Sequence, residues 1–365
     1  MRSVLFVTCD AGGNVPPVLA AAGELQARGH QVTVMGHPVQ AKAVADAGLT
    51  FTAFATARPF RGADHNSPFA WVGMFGDRAM GRDVARELAE RPVDLVAIDC
   101  MAFGAIEAVA QHGTPYALLE HTFHEYWQRS WLPGPMGIGL RLKRIRTQRL
   151  VDTARARVVL ALRELDPTTN PAPNAVFVGP IATGTPAQPA EPAVLVSLST
   201  IHFPGMGKTL QRTLDALAGL PVRGIVTTGP AVDPASLRVP ANVEVHRFVP
   251  HTELMPKVSV VVGHGGHATT MTALAHDLPL VVLPLHPMLD QKMVGTAVER
   301  AGAARVLAKT AKPSEIAAAV SDLLDGAPHR AAAARLGAQI RAASGAAGAA
   351  NALESLMADG VSVPR

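Results

Sequence analysis

Two cysteines in 365 residues provide no disulfide framework, and they suit a chain kept in a reducing compartment. Aromatic residues make up only 4% of the chain and charged residues only 17%. So little charge beside 48% hydrophobic residues excludes a disordered chain and indicates a well-packed globular enzyme. The charges nearly balance, 33 basic against 29 acidic, and a formal net charge of +4 is too mild to imply a nucleic-acid partner. No apolar run approaches the roughly 18–20 residues that span a bilayer. Met1-Arg2-Ser3-Val4-Leu5-Phe6-Val7-Thr8 begins like a secretion signal but meets Asp10 at once, so it reads as a first strand. The expectation is a cytoplasmic protein without stable membrane association. At 365 residues the chain exceeds a typical single core, so two domains are expected.

Short β-branched runs alternate with helical patterns along both halves. Strands are expected near 4–8, 32–35, 49–54, 93–98, 116–119, 158–160 and 176–178, and again near 194–198, 224–227, 243–246, 258–262, 280–283 and 305–307. Alternation of this kind calls for parallel sheets covered by helices on both faces. Between the two series lies a Pro- and Ala-rich stretch, Gly184 to Pro192, which reads as an interdomain linker. The expected division is a domain at 1–183, a linker at 184–192, a second domain at 193–345 and a helical tail at 346–365.

The segment Val262-Gly263-His264-Gly265-Gly266-His267-Ala268-Thr269-Thr270 sits between an apolar strand and a helical pattern. Such a turn aims free backbone N–H groups and a helix N-terminus at one spot, which suits a phosphate. His264, Thr269 and Thr270 add side-chain donors, and the glycines let the backbone approach an anion closely. After the next strand comes Asp290-Gln291, a carboxylate and an amide at the carboxyl end of a parallel sheet, where α/β proteins hold ligands. The pair offers acceptors and donors for several hydroxyl groups, although Asp at such a place also caps helices. Upstream, Arg247-Phe248-Val249-Pro250-His251 sets an aromatic face before a Pro-stiffened loop.

Together these segments, covering roughly residues 194–310, resemble the donor-binding half of family 1 glycosyltransferases. That resemblance implies an α/β chain of the GT-B fold, with two Rossmann-like domains facing across a cleft and the last helix crossing back to the first domain. By position it assigns His264, Gly266, Ala268 and Thr269 to the phosphates, Asp290 and Gln291 to the sugar, and Phe248 and Val249 to the base. Thr200 and His267 complete the donor set. His251 replaces the family's usual Gln, and Ala268 stands where Gly is common. The resemblance implies a nucleoside diphosphate sugar as co-substrate, with no cofactor and no metal.

Inverting transfer also needs a base for the acceptor. The family carries His or Asp in the turn after the first strand; this chain has Asn14, whose amide cannot accept the proton. In the doubly wound order the fourth strand lies beside the first, which brings Asp99 close to Asp10. Asp99 would hydrogen-bond Asn14 or take a catalytic role, and Asp10 is a candidate base beside it. A further candidate is His121, in Glu120-His121-Thr122-Phe123-His124-Glu125-Tyr126-Trp127, where His124 and Trp127 would join an acceptor pocket. His-x-x-His is also a partial metal pattern, but no third spaced ligand completes it. Phe60, Phe69, Trp71 and Phe75, within an expected mobile loop at 58–75, would add aromatic faces to the same pocket. The basic run Arg141 to Leu150 reads as a solvated helix face with Leu142, Ile145 and Leu150 buried.

The expected activity is inverting transfer of a sugar from TDP or UDP to a small hydrophobic natural-product acceptor, aromatic or polyketide-like, by a monomer or homodimer. Two alternatives stand beside it: a non-catalytic nucleotide-sugar-binding partner of another transferase, and a nucleotide-sugar epimerase of the same fold.

Overall fold

The computed structural model describes residues 1–64 and 67–359. His65 and Asn66 of the expected loop, and 360–365 of the expected tail, lie outside the described residues. Two compact units emerge, one built from residues 1–181 together with the segment beginning at Ser344, the other from Ala182–Ala343.

The first unit holds β1 (Ser3–Val7), β2 (Gln31–Gly36), β3 (Thr50–Ala53), β4 (Leu95–Asp99), β5 (Tyr116–Glu120), β6 (Ala156–Val159) and β7 (Ala175–Phe177). They form one parallel sheet in the order β3-β2-β1-β4-β5-β6-β7. The second unit holds β8 (Ala193–Ser197), β9 (Arg223–Thr227), β10 (Val243–His246), β11 (Val260–Gly263), β12 (Leu280–Val282) and β13 (Ala304–Val306). Their order, β10-β9-β8-β11-β12-β13, is again parallel and doubly wound. Each expected strand is present, displaced by at most about two residues at its ends.

Central strands β4, β5, β8 and β11 are buried along their whole length, as strands covered on both faces must be, which is why they read as continuous apolar runs. The helix Gly345–Asp359 buries Ala349, Ala350, Leu353 and Met357 with Val18, Leu19 and Ala22 of the helix Val15–Ala27. Leu142, expected inside, is 81% exposed, because the helix Pro135–Leu142 ends there; Ile145 and Leu150 are buried.

Residues 184–192, read from the sequence as an interdomain linker, belong to the second unit and are fastened to it. His276 Nδ1 lies 2.7 Å from Thr185 O, Ala187 N donates to His276 O at 2.9 Å, and Gln188 N donates to Pro256 O at 3.0 Å. A proline-rich strand-like segment cannot bond to itself, so its backbone groups are satisfied by the surface beside it.

Strand register positions the chemistry. Val7 pairs with Ile98, and Asp99 pairs with Leu119, so residues 9–10, 99–100 and 121 emerge together at one sheet edge. In the second sheet Gly263 pairs with both Ser197 and Val282, which sets His264 beside the ends of β8 and β12.

Candidate active site

In the first unit Asn14 is 2% exposed and fully engaged. Its Nδ2 donates to Asp99 Oδ2 at 2.6 Å and to Cys9 O at 2.8 Å, while Oδ1 accepts from Ala11 N at 3.2 Å. Asp99 is wholly buried, and its Oδ1 accepts from Met101 N at 2.9 Å. His121 Nε2 stands 3.6 Å from that oxygen and 3.7 Å from Cys100 Sγ. His121 is the member of this group that reaches solvent. Burial first, and then the Asp99 carboxylate, push the thiols of Cys9 and Cys100 well above their ordinary range. One atom each of Asp99, Cys100 and His121 lie within 4.8 Å of one another, a spacing that three metal ligands could adopt. The protonated Cys100 thiol makes it a weak ligand set, since the thiolate is the binding form. Asp10 is occupied elsewhere: its Oδ2 accepts from Gly62 N at 3.1 Å.

Aromatic rings continue from His121 in an unbroken row, buried at every member beyond it but Trp71. His121 meets Trp127 at 6.5 Å, Trp127 meets Trp131 at 4.5 Å, and Trp131 meets Phe75 at 5.6 Å. Phe75 then meets Trp71 at 5.7 Å and Trp71 meets Phe60 at 5.1 Å. Trp71 and Phe75 share one face of the helix Pro68–Phe75 because they are four residues apart. Phe69, two residues from Trp71, points the other way and is 88% exposed, so it does not join the row. The expected loop is thus partly helix.

His124 also stands apart. It is fully buried, with Nδ1 2.7 Å from Glu120 Oε2 and Nε2 accepting from Ala172 N at 3.1 Å. Glu120 is paired in turn with the buried Arg157. His124 therefore fastens the sheet edge; the turn after β5 sends it and His121 in different directions.

In the second unit the helix His267–Ala275 begins without a side-chain cap, and its first turn holds no acidic residue. Backbone N–H groups at such a helix start point toward one spot, with Ala268 exposed and Thr269 half-buried beside it. Gly265 has φ +84°, and a Cβ there would come 2.5 Å from Gln291 O. Gly266 is needed for a different reason, since its Cβ would lie 2.5 Å from His264 Nε2. Loss of water around His264 lowers its pKa to about 4, against a smaller opposing interaction with the Leu198 backbone. The imidazole is thus neutral near pH 7, with a buried Nδ1 that has no partner among the described residues.

Gln291 Oε1 accepts from Leu285 N at 2.7 Å and His286 N at 3.1 Å, which uses both lone pairs and leaves its amide N–H groups as the donors. Asp290 occupies the N-cap position of the helix Gln291–Arg300, but its side chain makes no capping bond. His251 Nε2 lies 2.9 Å from Ser197 Oγ, and burial lowers its pKa. Phe248 is 76% exposed after β10, Val249 is half-buried and Thr200 is exposed.

Residues 211–356 match the family described as Erythromycin biosynthesis protein CIII-like, C-terminal domain. The chain is 28% identical to 4'-demethylrebeccamycin synthase of Lentzea aerocolonigenes over an alignment of 424 residues, covering 97% of this chain and 99% of that one. It is 37% identical to the PGL/p-HBAD biosynthesis glycosyltransferase of Mycobacterium tuberculosis (strain ATCC 25177 / H37Ra) over 182 residues, 47% of this chain and 41% of that one. Among solved structures, CalG4, the calicheamicin glycosyltransferase, superposes with a TM-score of 0.79 at 24% identity, covering 100% of both chains. The chain is a glycosyltransferase of the GT-B fold.

Sequence reasoning passed over several residues that shape this glycosyltransferase. Ser197 joins β8, β9 and the 251 loop, receiving Thr227 Oγ1 at 2.8 Å as well as meeting His251. Lys309 Nζ donates to Leu285 O at 3.0 Å, holding from the far side the peptide that Gln291 holds from the near side. Burial and the Lys309 charge both lower the pKa of His286. Trp131, stacked on Phe103 at 5.5 Å, is the keystone of the aromatic row. It ends the five-residue run Trp127–Trp131, a π-helical turn, and such turns often mark functional sites.

Proposed function

We propose that this glycosyltransferase moves a sugar, with inversion, from a thymidine or uridine diphosphate to a small hydrophobic natural-product acceptor. The observation that carries the reading is the turn at His264: an uncapped helix N-terminus, two tightly constrained glycines and a neutral imidazole converge on one place. Donors fixed in advance stabilise the charge that develops on a departing diphosphate, without a metal ion in this reading. Asp290 and the Gln291 amide N–H groups hold the sugar hydroxyls, while Phe248 and Val249 receive the base.

In the first unit the reading gives His121 the acceptor proton, with Asp99 stabilising the imidazolium that forms. Asn14 holds Asp99 in place and Asp10 fastens the 62 turn, so neither needs to act as base. The aromatic row from Trp127 to Phe60 supports an acceptor with flat apolar faces over an epimerase, which needs no second substrate. The test is product formation from labelled TDP- and UDP-sugars with a panel of phenolic and polyketide-like acceptors. Turnover of the donor to a new sugar without an acceptor would instead identify an epimerase.

A further inference from the structure

Two hollows of nearly equal volume, about 510 and about 500 Å³, open at the N-terminal edges of the two sheets. In the second unit the hollow is edged by Glu191, Glu244 and Arg223, and Arg223 is paired with Glu244 at 2.8 Å. The first unit's hollow lies beside Tyr116 and Arg155, where β5 and β6 begin, and is lined also by Arg144, Arg146 and Arg149. Its one carboxylate, Glu107, is already paired with Arg78 at 2.8 Å. The side chains of the four arginines make no hydrogen bond or ion pair among the described residues. Four unneutralised guanidiniums around one concavity equal the formal net charge of the whole chain, +4. Such a cluster repels itself until an anion enters.

Arg144 strengthens the case. It follows the helix Pro135–Leu142 with φ +62°, and its N donates to Arg141 O at 2.8 Å. Glycine is the residue this left-handed helix ending favours, so an arginine is kept there against the backbone's preference.

We propose that this hollow binds a small anion carrying two or more phosphate groups. Guanidinium forks match phosphate oxygens two at a time, and four of them exceed what a single phosphate accepts. Concavity and volume suit a compact molecule rather than a flat lipid surface. The whole of β5 separates this place from His121, so the ligand is not the acceptor that His121 would serve.

The experiment titrates inorganic pyrophosphate into the full chain, followed by calorimetry, and repeats it with Arg144→Gly, the double variant Arg146→Ser/Arg149→Ser, and His264→Ala. Binding should weaken about tenfold or more in both arginine variants and one pyrophosphate should still bind this hollow in His264→Ala. Arg144→Gly should melt no lower than the parent, which separates loss of ligand from loss of fold. Equal affinity in all four proteins would overturn the proposal, as would loss of all binding in His264→Ala alone. Binding to phosphatidylglycerol vesicles without binding to pyrophosphate would overturn it in favour of a membrane surface.

Discussion

Asn14 and Asp99 are joined by a buried hydrogen bond of 2.6 Å, and the oxygen of Asp99 that Asn14 does not hold faces His121 at 3.6 Å. A residue that cannot take a proton thus fixes the carboxylate that orients one that can. On the proposed reading, the departure at position 14 moves the basic group to the end of β5, two strands from β1, and leaves the pairing of an imidazole with a carboxylate in place.

His121→Ala should lower kcat/KM by about 10²–10⁴-fold, and the defect should grow as the acceptor's pKa rises. Asn14→Ala should reduce transfer only modestly but lower stability by about 1–3 kcal/mol, because Asp99 Oδ2 loses a buried donor. Rates on a series of phenols and alcohols, with denaturant melts of both variants, separate the two roles. A His121→Ala defect of the same size on every acceptor would remove His121 as the base.

His264→Ala should fold and yet lose about 10²–10³ in kcat, the usual cost of one donor to a developing anion. Steady-state rates with circular dichroism check it. Unchanged turnover would dismiss the phosphate assignment.

Acidification should destabilise the protein in a defined window. His264 has a folded pKa of about 4 against an ordinary value of 6.5, so between those limits the unfolded chain holds the extra proton. Stability therefore falls as pH drops from about 6.5 to about 4, by roughly 3 kcal/mol from this group, and its contribution levels off below. Burial shifts His37, His251 and His286 downward too, adding to the same slope. Denaturant melts across that range should show a shallower slope in His264→Asn.

Gln291→Glu should preserve the fold, because a carboxylate still accepts from Leu285 N and His286 N, but it removes the amide donors. The expected result is a raised KM for the nucleotide sugar with nearly unchanged affinity for the nucleoside diphosphate. Gln291→Ala should instead cost stability of about 1–3 kcal/mol, by stranding two backbone donors. Nucleotide titrations beside donor kinetics distinguish these outcomes.

The sheets were legible because buried parallel strands must be apolar and must alternate with helices; β4, β5, β8 and β11 could be little else. The turn at His264 was equally plain, since its glycines and donors are contiguous in the chain. Roles set by long-range register were not. His121 and His124 are chemically alike and three residues apart, yet one meets Asp99 from β4 while the other meets Glu120, which Arg157 from β6 holds in turn. Phe69 looked like its neighbours until helix phase turned it outward. The segment 184–192 was judged by its composition, and composition does not record that His276 was waiting ninety-one positions on.

The helix Gly345–Asp359 closes the core that begins with Val4 and Phe6. Domains usually fold as they leave the ribosome, earliest part first. Here that order is interrupted, since the first unit lacks Leu353 and Met357 until nearly every other residue of the described chain has been synthesised. The second unit is uninterrupted in sequence and can reach its final form before the first. The nascent chain must meanwhile carry an open apolar seam along Val18, Leu19 and Ala22, and this is where a chaperone would find it.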